Sequence, residues 1–194
     1  MVPLWHGGES AFHPHRDSPY GTIRAMTEVS RGSQSGDRPA TIILFCGLPG
    51  AGKTTLAREL EGHGRGVRLC TDDWQHQLDI DPNDHDFHER LQRLLYAHAL
   101  DVLTHGCDVI LEDGLWLKAE RAEKFGDARA LGARIEFHVF NVTLDELWRR
   151  LQLRALEPIG GAYTVTRSEL EAAWQLFEPP TDAELQSVDE WVTH

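Results

Sequence analysis

The chain has 194 residues, a formal net charge of −12, and 41% hydrophobic against 26% charged residues. That balance suits one globular domain with a core of its own, and no apolar run reaches the roughly 20 residues that a membrane helix needs. The acidic excess argues against a polyanionic partner such as nucleic acid; three scattered cysteines, Cys46, Cys70 and Cys107, and no secretory leader set the expectation of a cytoplasmic protein.

Residues 1–39 are rich in Gly, Ser, His and Arg and show no sustained period. They predict a disordered N-terminal tail in front of a body that spans residues 40–194. In the tail Glu9, Asp17, Glu28 and Asp37 cancel Arg16, Arg24, Arg31 and Arg38, so the whole acidic excess falls in the body. The body opens on Thr41–Cys46, a continuous apolar run that reads as a buried parallel strand. A helix is predicted from Lys53 to about Glu61, and a short strand over Gly66–Cys70. Phe87, Leu91, Leu94, Leu95, Ala99 and Val102 recur at helical spacing, which predicts a long amphipathic helix over residues 84–105. A third strand, Asp108–Leu111, a helix, Lys118–Leu131, and a fourth strand, Arg134–Phe140, come next. Thr143 with Glu146, and Thr166 with Glu169, have the spacing of capping boxes and open two more helices. A last strand is expected near Val188–Val192. Alternation of this kind predicts an α/β fold of three layers, a mainly parallel five-stranded sheet flanked by helices.

Between the first strand and the first helix stand Gly47, Leu48, Pro49, Gly50, Ala51, Gly52, Lys53 and Thr54, followed by Thr55. Gly, four free positions, then Gly-Lys-Thr is the P-loop pattern. Its glycines let the backbone approach phosphate, and its N–H groups meet the anion at a helix N-terminus. Lys53 is placed to reach the β- and γ-phosphates, and the Thr54 hydroxyl to bind Mg²⁺. ATP and Mg²⁺ are the expected ligands.

Two pairs of acids stand at strand ends. Glu112 and Asp113 end the third strand, where a P-loop protein needs a carboxylate for the metal; Glu112 is preferred. Asp72 and Asp73 come after the second strand on the same sheet edge as the P-loop, with Thr71 or Asp73 as a helix cap and Asp72 as the base that accepts a hydroxyl proton. Arg149, Arg150 and Arg154 share one predicted helix ahead of a Pro- and Gly-containing stretch, so a lid around residues 149–166 would bring them to the phosphates. Arg149 is expected to bind nucleotide, Arg150 and Arg154 to act in catalysis, and Arg121, after the third strand, to bind substrate.

Taken in this order, the P-loop, Thr71 to Asp73, the Val109–Gly114 strand with Trp116 and Arg121, the arginine helix and the Phe177–Thr181 stretch resemble a group of small P-loop kinases. The group includes chloramphenicol phosphotransferase, zeta-type toxins and polynucleotide kinase. The resemblance implies the P-loop NTPase fold with a helical lid, Asp72 as the base, and the arginines of residues 149–154 in the lid. Polynucleotide kinases have an arginine three residues after the base, where this chain has Gln75. The expected activity is transfer of the ATP γ-phosphoryl group to a hydroxyl of a small molecule of antibiotic, nucleoside or sugar type. The alternatives are a polynucleotide 5′-hydroxyl kinase and an ATP-hydrolysing switch protein without an acceptor.

Overall fold

The computed structural model describes residues 38–156 and 165–194. The predicted tail lies outside them except for Arg38 and Pro39. Arg38 belongs to the body, because its guanidinium donates to Asp108 Oδ2 and, at 3.2 Å, to Thr41 Oγ1.

Five strands, β1 (Thr41–Cys46), β2 (Val67–Leu69), β3 (Val109–Leu111), β4 (Arg134–Val139) and β5 (Glu190–Thr193), form one parallel sheet in the order β2-β3-β1-β4-β5. In register, Ile43 lies beside Ile110 on one side and Glu136 on the other. Side chains alternate across a strand, so β1 is apolar on both faces, as its unbroken hydrophobic run predicts. Ile42, Leu44 and Cys46 join Leu111 and Phe137 beneath α3 (His85–Thr104) and α4 (Lys118–Ala130). Ile43 and Phe45 join Ile110 beneath α1 (Lys53–Gly62), α5 (Leu144–Ala155) and α6 (Arg167–Leu176). Each of these fully buried aliphatic side chains contributes roughly 1.5–3 kcal/mol of burial. The three predicted layers are therefore present.

Two short helices complete the described body: α2 (Thr71–Gln77) and α7 (Asp182–Leu185). From sequence, residues 71–77 carry only an expected cap at Thr71 or Asp73, and the observed cap is neither. Cys70 occupies the N-cap position of α2 with no side-chain bond, while Asp73 is engaged elsewhere. The two capping boxes also diverge. Thr166 and Glu169 exchange both bonds. Thr143 accepts from Glu146 N, but the Glu146 carboxylate is turned to Arg149 and Arg150 instead of back to the cap. No described helix is long and apolar enough to cross a membrane.

Candidate nucleotide and acceptor site

The P-loop joins β1 directly to α1. Gly50 (φ 83°) and Gly52 (φ 110°) take left-handed backbone that a side chain would strain. Leu48 and Ala51 are buried beneath the loop, and Pro49 separates Leu48 from the first of these turns. Thr54 and Thr55 come after Lys53 in the first turn of α1. The ammonium of Lys53 curls over the loop and donates to Gly47 O at 2.9 Å and Leu48 O at 3.0 Å. Burial draws its pKa down to about 8, opposed by the charges of Glu112 and Asp72. Those two acids are thus its charged neighbours, although they come from the ends of different strands.

Arg68 organises the carboxylates. Its Nε donates to Glu112 Oε2 at 2.7 Å and its Nη2 to Asp73 Oδ2 at 2.6 Å. Burial works to raise the Asp73 pKa, but Arg68 and Arg58 prevail and hold it below the usual carboxylate range. Asp72 differs sharply: its side chain is 85% exposed, with His88 Nδ1 at 3.7 Å. Alternation at the end of β3 separates the last pair. Glu112 faces Arg68 and Lys53, whereas Asp113 is buried beside Gln92, Lys124 and His88, and burial raises its pKa. The metal expectation therefore divides: Glu112 is brought to the P-loop and Asp113 is turned to the α3 side of the sheet. The Thr54 hydroxyl and the Glu112 carboxylate are oxygen donors of the type that suits a hard cation completed by phosphate and water.

On α5, Arg149 and Arg150 both grip Glu146, whose pKa falls to about 2 through Arg149 first and Arg150 second. Arg150 alone also reaches the loop, donating from Nη1 to Ala51 O at 3.1 Å. Arg154 lies one turn further on, exposed and close enough for its charge to bear on Lys53. The segment 157–164 of the predicted lid lies outside the described residues.

Arg121, expected at the substrate, is fully buried, with Nε donating to Glu184 Oε1 at 2.8 Å. Its Nη1 donates to Leu115 O at 3.2 Å and Trp116 O at 3.1 Å, and its Nη2 is the lone buried side-chain nitrogen or oxygen without a partner among the described residues. Trp116 in turn donates to Gly47 O at 3.2 Å, and Gly47 N donates to Gly114 O at 2.9 Å. Arg121 thus braces the loop that braces the P-loop. Sequence reasoning missed Arg68 and Glu184 as parts of this site. An arginine between Val67 and Leu69 in a strand was the available signal for the first. Thr181 with Glu184, a capping box three residues apart, was the signal for the second.

A family model described as an AAA domain matches residues 42–180, most of the chain. Among solved structures, a chain of the Pnkp1/Rnl/Hen1 RNA repair complex shares 22% identity and a TM-score of 0.58 over 71% of this chain and 43% of that one. This chain therefore spans less than half of that relative's length. Chaetomium thermophilum Kti12 in complex with ADP-AlF3 shares 20% identity and a TM-score of 0.58 over 79% of this chain and 88% of that one. Mycobacterium tuberculosis APS kinase CysC, in complex with AMPPNP and APS, shares 20% identity and a TM-score of 0.52 over 80% and 88% respectively. At these identities the likeness is one of fold. With its glycine-turned loop, parallel sheet and matched span, the chain belongs to the AAA domain family.

Proposed function

We propose that this chain is an ATP- and Mg²⁺-dependent phosphotransferase that moves the γ-phosphoryl group to a hydroxyl of a small molecule. The observation that carries the reading is a P-loop with its lysine, Lys53, lying within electrostatic reach of an exposed carboxylate, Asp72. The P-loop amides and Lys53 hold the triphosphate. Thr54 and Glu112 would hold Mg²⁺, which supplies charge neutralisation between the β- and γ-phosphates when bound. Asp72 accepts the proton of the acceptor hydroxyl as its oxygen bonds to the γ-phosphorus and the bond to the ADP oxygen breaks. Arg150, anchored on Ala51 O, is the arginine best placed to meet charge that develops on the transferred group. The ADP-AlF3 and AMPPNP of two similar structures support the nucleotide half of this reading.

Lys53→Ala is expected to abolish nucleotide binding. Asp72→Asn is expected to retain ATP binding, read by calorimetry, and to lose at least about 10²-fold in transfer, read by ADP release. Full transfer by Asp72→Asn would place the base elsewhere. A second reading, a polynucleotide 5′-hydroxyl kinase, draws on the RNA repair neighbour. Against it stand the net charge of −12 and a Gln75 side chain already occupied inside the protein. Labelled ATP with a 5′-hydroxyl oligonucleotide separates the two.

A further inference from the structure

Gln75 and His88 turn toward one another beside Asp72, and the two hydrogen bonds of the Gln75 amide, one to His88 and one to Asp81 O, settle which ring nitrogen carries the proton. Gln75 is buried, with 3% of its surface exposed. Its Nε2 donates to the backbone oxygen of Asp81 at 2.7 Å. A carbonyl oxygen only accepts, so the amide nitrogen is fixed on that side and Gln75 Oε1 is left to accept. The atom 2.9 Å from Oε1 is His88 Nδ1, which must therefore be the N–H of the ring. The same N–H leans toward Asp72 Oδ1 at 3.7 Å. In the neutral imidazole the lone pair is then on Nε2. His88 keeps 31% of its side chain exposed, and no residue among those described bonds its Nε2.

The charges around this lone pair bear on the choice of ligand. Asp72 is beside the ring on its Nδ1 side, and the buried Asp113 lies within electrostatic reach of the ring. The nearby cations are committed elsewhere: Arg58 and Arg68 to Asp73 and Glu112, Lys124 to Glu123 and to the face of Tyr96. Asp72 and the imidazole lone pair both ask for donors. A phosphate group, which offers only lone pairs and negative charge, would meet two like partners there, Asp72 and the imidazole lone pair. A hydroxyl or an ammonium group would meet acceptors.

Resting on the kinase reading above, we propose that His88 Nε2 is a specificity-determining contact of the acceptor pocket, receiving a hydroxyl or ammonium hydrogen from a neutral or cationic polyhydroxyl acceptor that carries no phosphate there. Gln75 is the positioning residue that fixes the ring. The loss of one such bond is expected to raise the acceptor KM about tenfold while the ATP KM stays unchanged.

The test uses the full chain with Mg-ATP and two acceptor panels read by ADP release. One panel holds unphosphorylated sugars, amino sugars and nucleosides; the other holds their monophosphates and a 5′-hydroxyl oligonucleotide. His88→Asn keeps a donor toward Gln75 Oε1 and deletes the Nε2 acceptor, and His88→Ala deletes both. Transfer confined to the first panel, with an acceptor KM raised in His88→Asn at constant ATP KM and unchanged melting temperature, supports the proposal. Preference for the second panel, or an unaltered acceptor KM in both variants, overturns it and leaves the kinase reading standing. ATP bound by calorimetry with neither panel phosphorylated overturns both.

Discussion

Lys53 links binding and stability at the residue scale. Its ammonium is partly covered, and its pKa drops to about 8 because burial outweighs the attraction of Glu112 and Asp72. A depressed amine binds fewer protons folded than unfolded between that value and the ordinary one near 10.4. In that interval the unfolded state binds more protons, so stability rises with pH. Below about 8 the nucleotide-free protein carries the full cost of the covered charge. Lys53→Met is therefore expected to stabilise it by on the order of 1 kcal/mol at pH 7, an advantage that shrinks as pH climbs from 8 toward 10. Urea unfolding at pH 7 and pH 9.5 checks this; an advantage that grows with pH would mean the lysine is not desolvated. The sequence sets the expectation that this residue meets phosphate. Its cost was not legible there, because it depends on the carbonyls of Gly47 and Leu48 and on acids brought from two other strands.

At the scale of the element, α5 shows what spacing can and cannot tell. Arg149, Arg150 and Arg154 were legible as one helix, with Arg150 and Arg154 on a shared face, and helical geometry places all three. Only the approach of α5 to the P-loop distinguishes them, and Arg150 alone bonds a loop carbonyl. Arg150→Ala is expected to lower kcat by about 10²-fold or more, and Arg149→Ala by less than about tenfold. Both should leave the melting temperature nearly unchanged, since exposed ion pairs with Glu146 contribute little. Steady-state kinetics of the two variants gives the ranking, and the reverse order would move the active charge to Arg149. The acids after β3 teach the same lesson. Adjacent in sequence, Glu112 and Asp113 are sent to opposite faces by strand alternation, and only the packing of α3 on one face identifies which of them the P-loop receives. Helix α2 was not legible because its start has no side-chain cap and is held by its tertiary partners.

For the molecule as a whole, the parallel sheet places β1 between β3 and β4, so the loop after β1 is flanked by the segments that leave both neighbouring strands. Gly114 supports it from one side, and Phe140 packs on Gly47 and Gly52 from the other. Strand identity and layer order could be read from hydrophobic runs and their spacing; lateral order could not, because it arises from pairings distant in sequence. A site assembled from so many elements is expected to stiffen the entire body on binding. Mg-ATP at 100 times its Kd should add about 2.7 kcal/mol to the stability of the native chain. The corresponding rise in Tm, measured by calorimetry, should vanish in Lys53→Ala. A rise that persists in that variant would place the nucleotide away from Gly47–Thr54.

The brace between Glu184 and Arg121 bears on how any shortened version of this protein should be regarded. A gene copy whose reading frame stopped just after α6 would still encode Lys53, Asp72, Glu112 and Arg150, and a motif search would score it as intact. It would lack the one carboxylate that neutralises a guanidinium sealed in the interior, and leaving a buried charge uncompensated costs about 3–5 kcal/mol. The loss would fall on Leu115 and Trp116, the backbone that leans on Gly47. Such pseudogene-like or trimmed forms would keep every residue of the P-loop pattern and forfeit the footing of that loop.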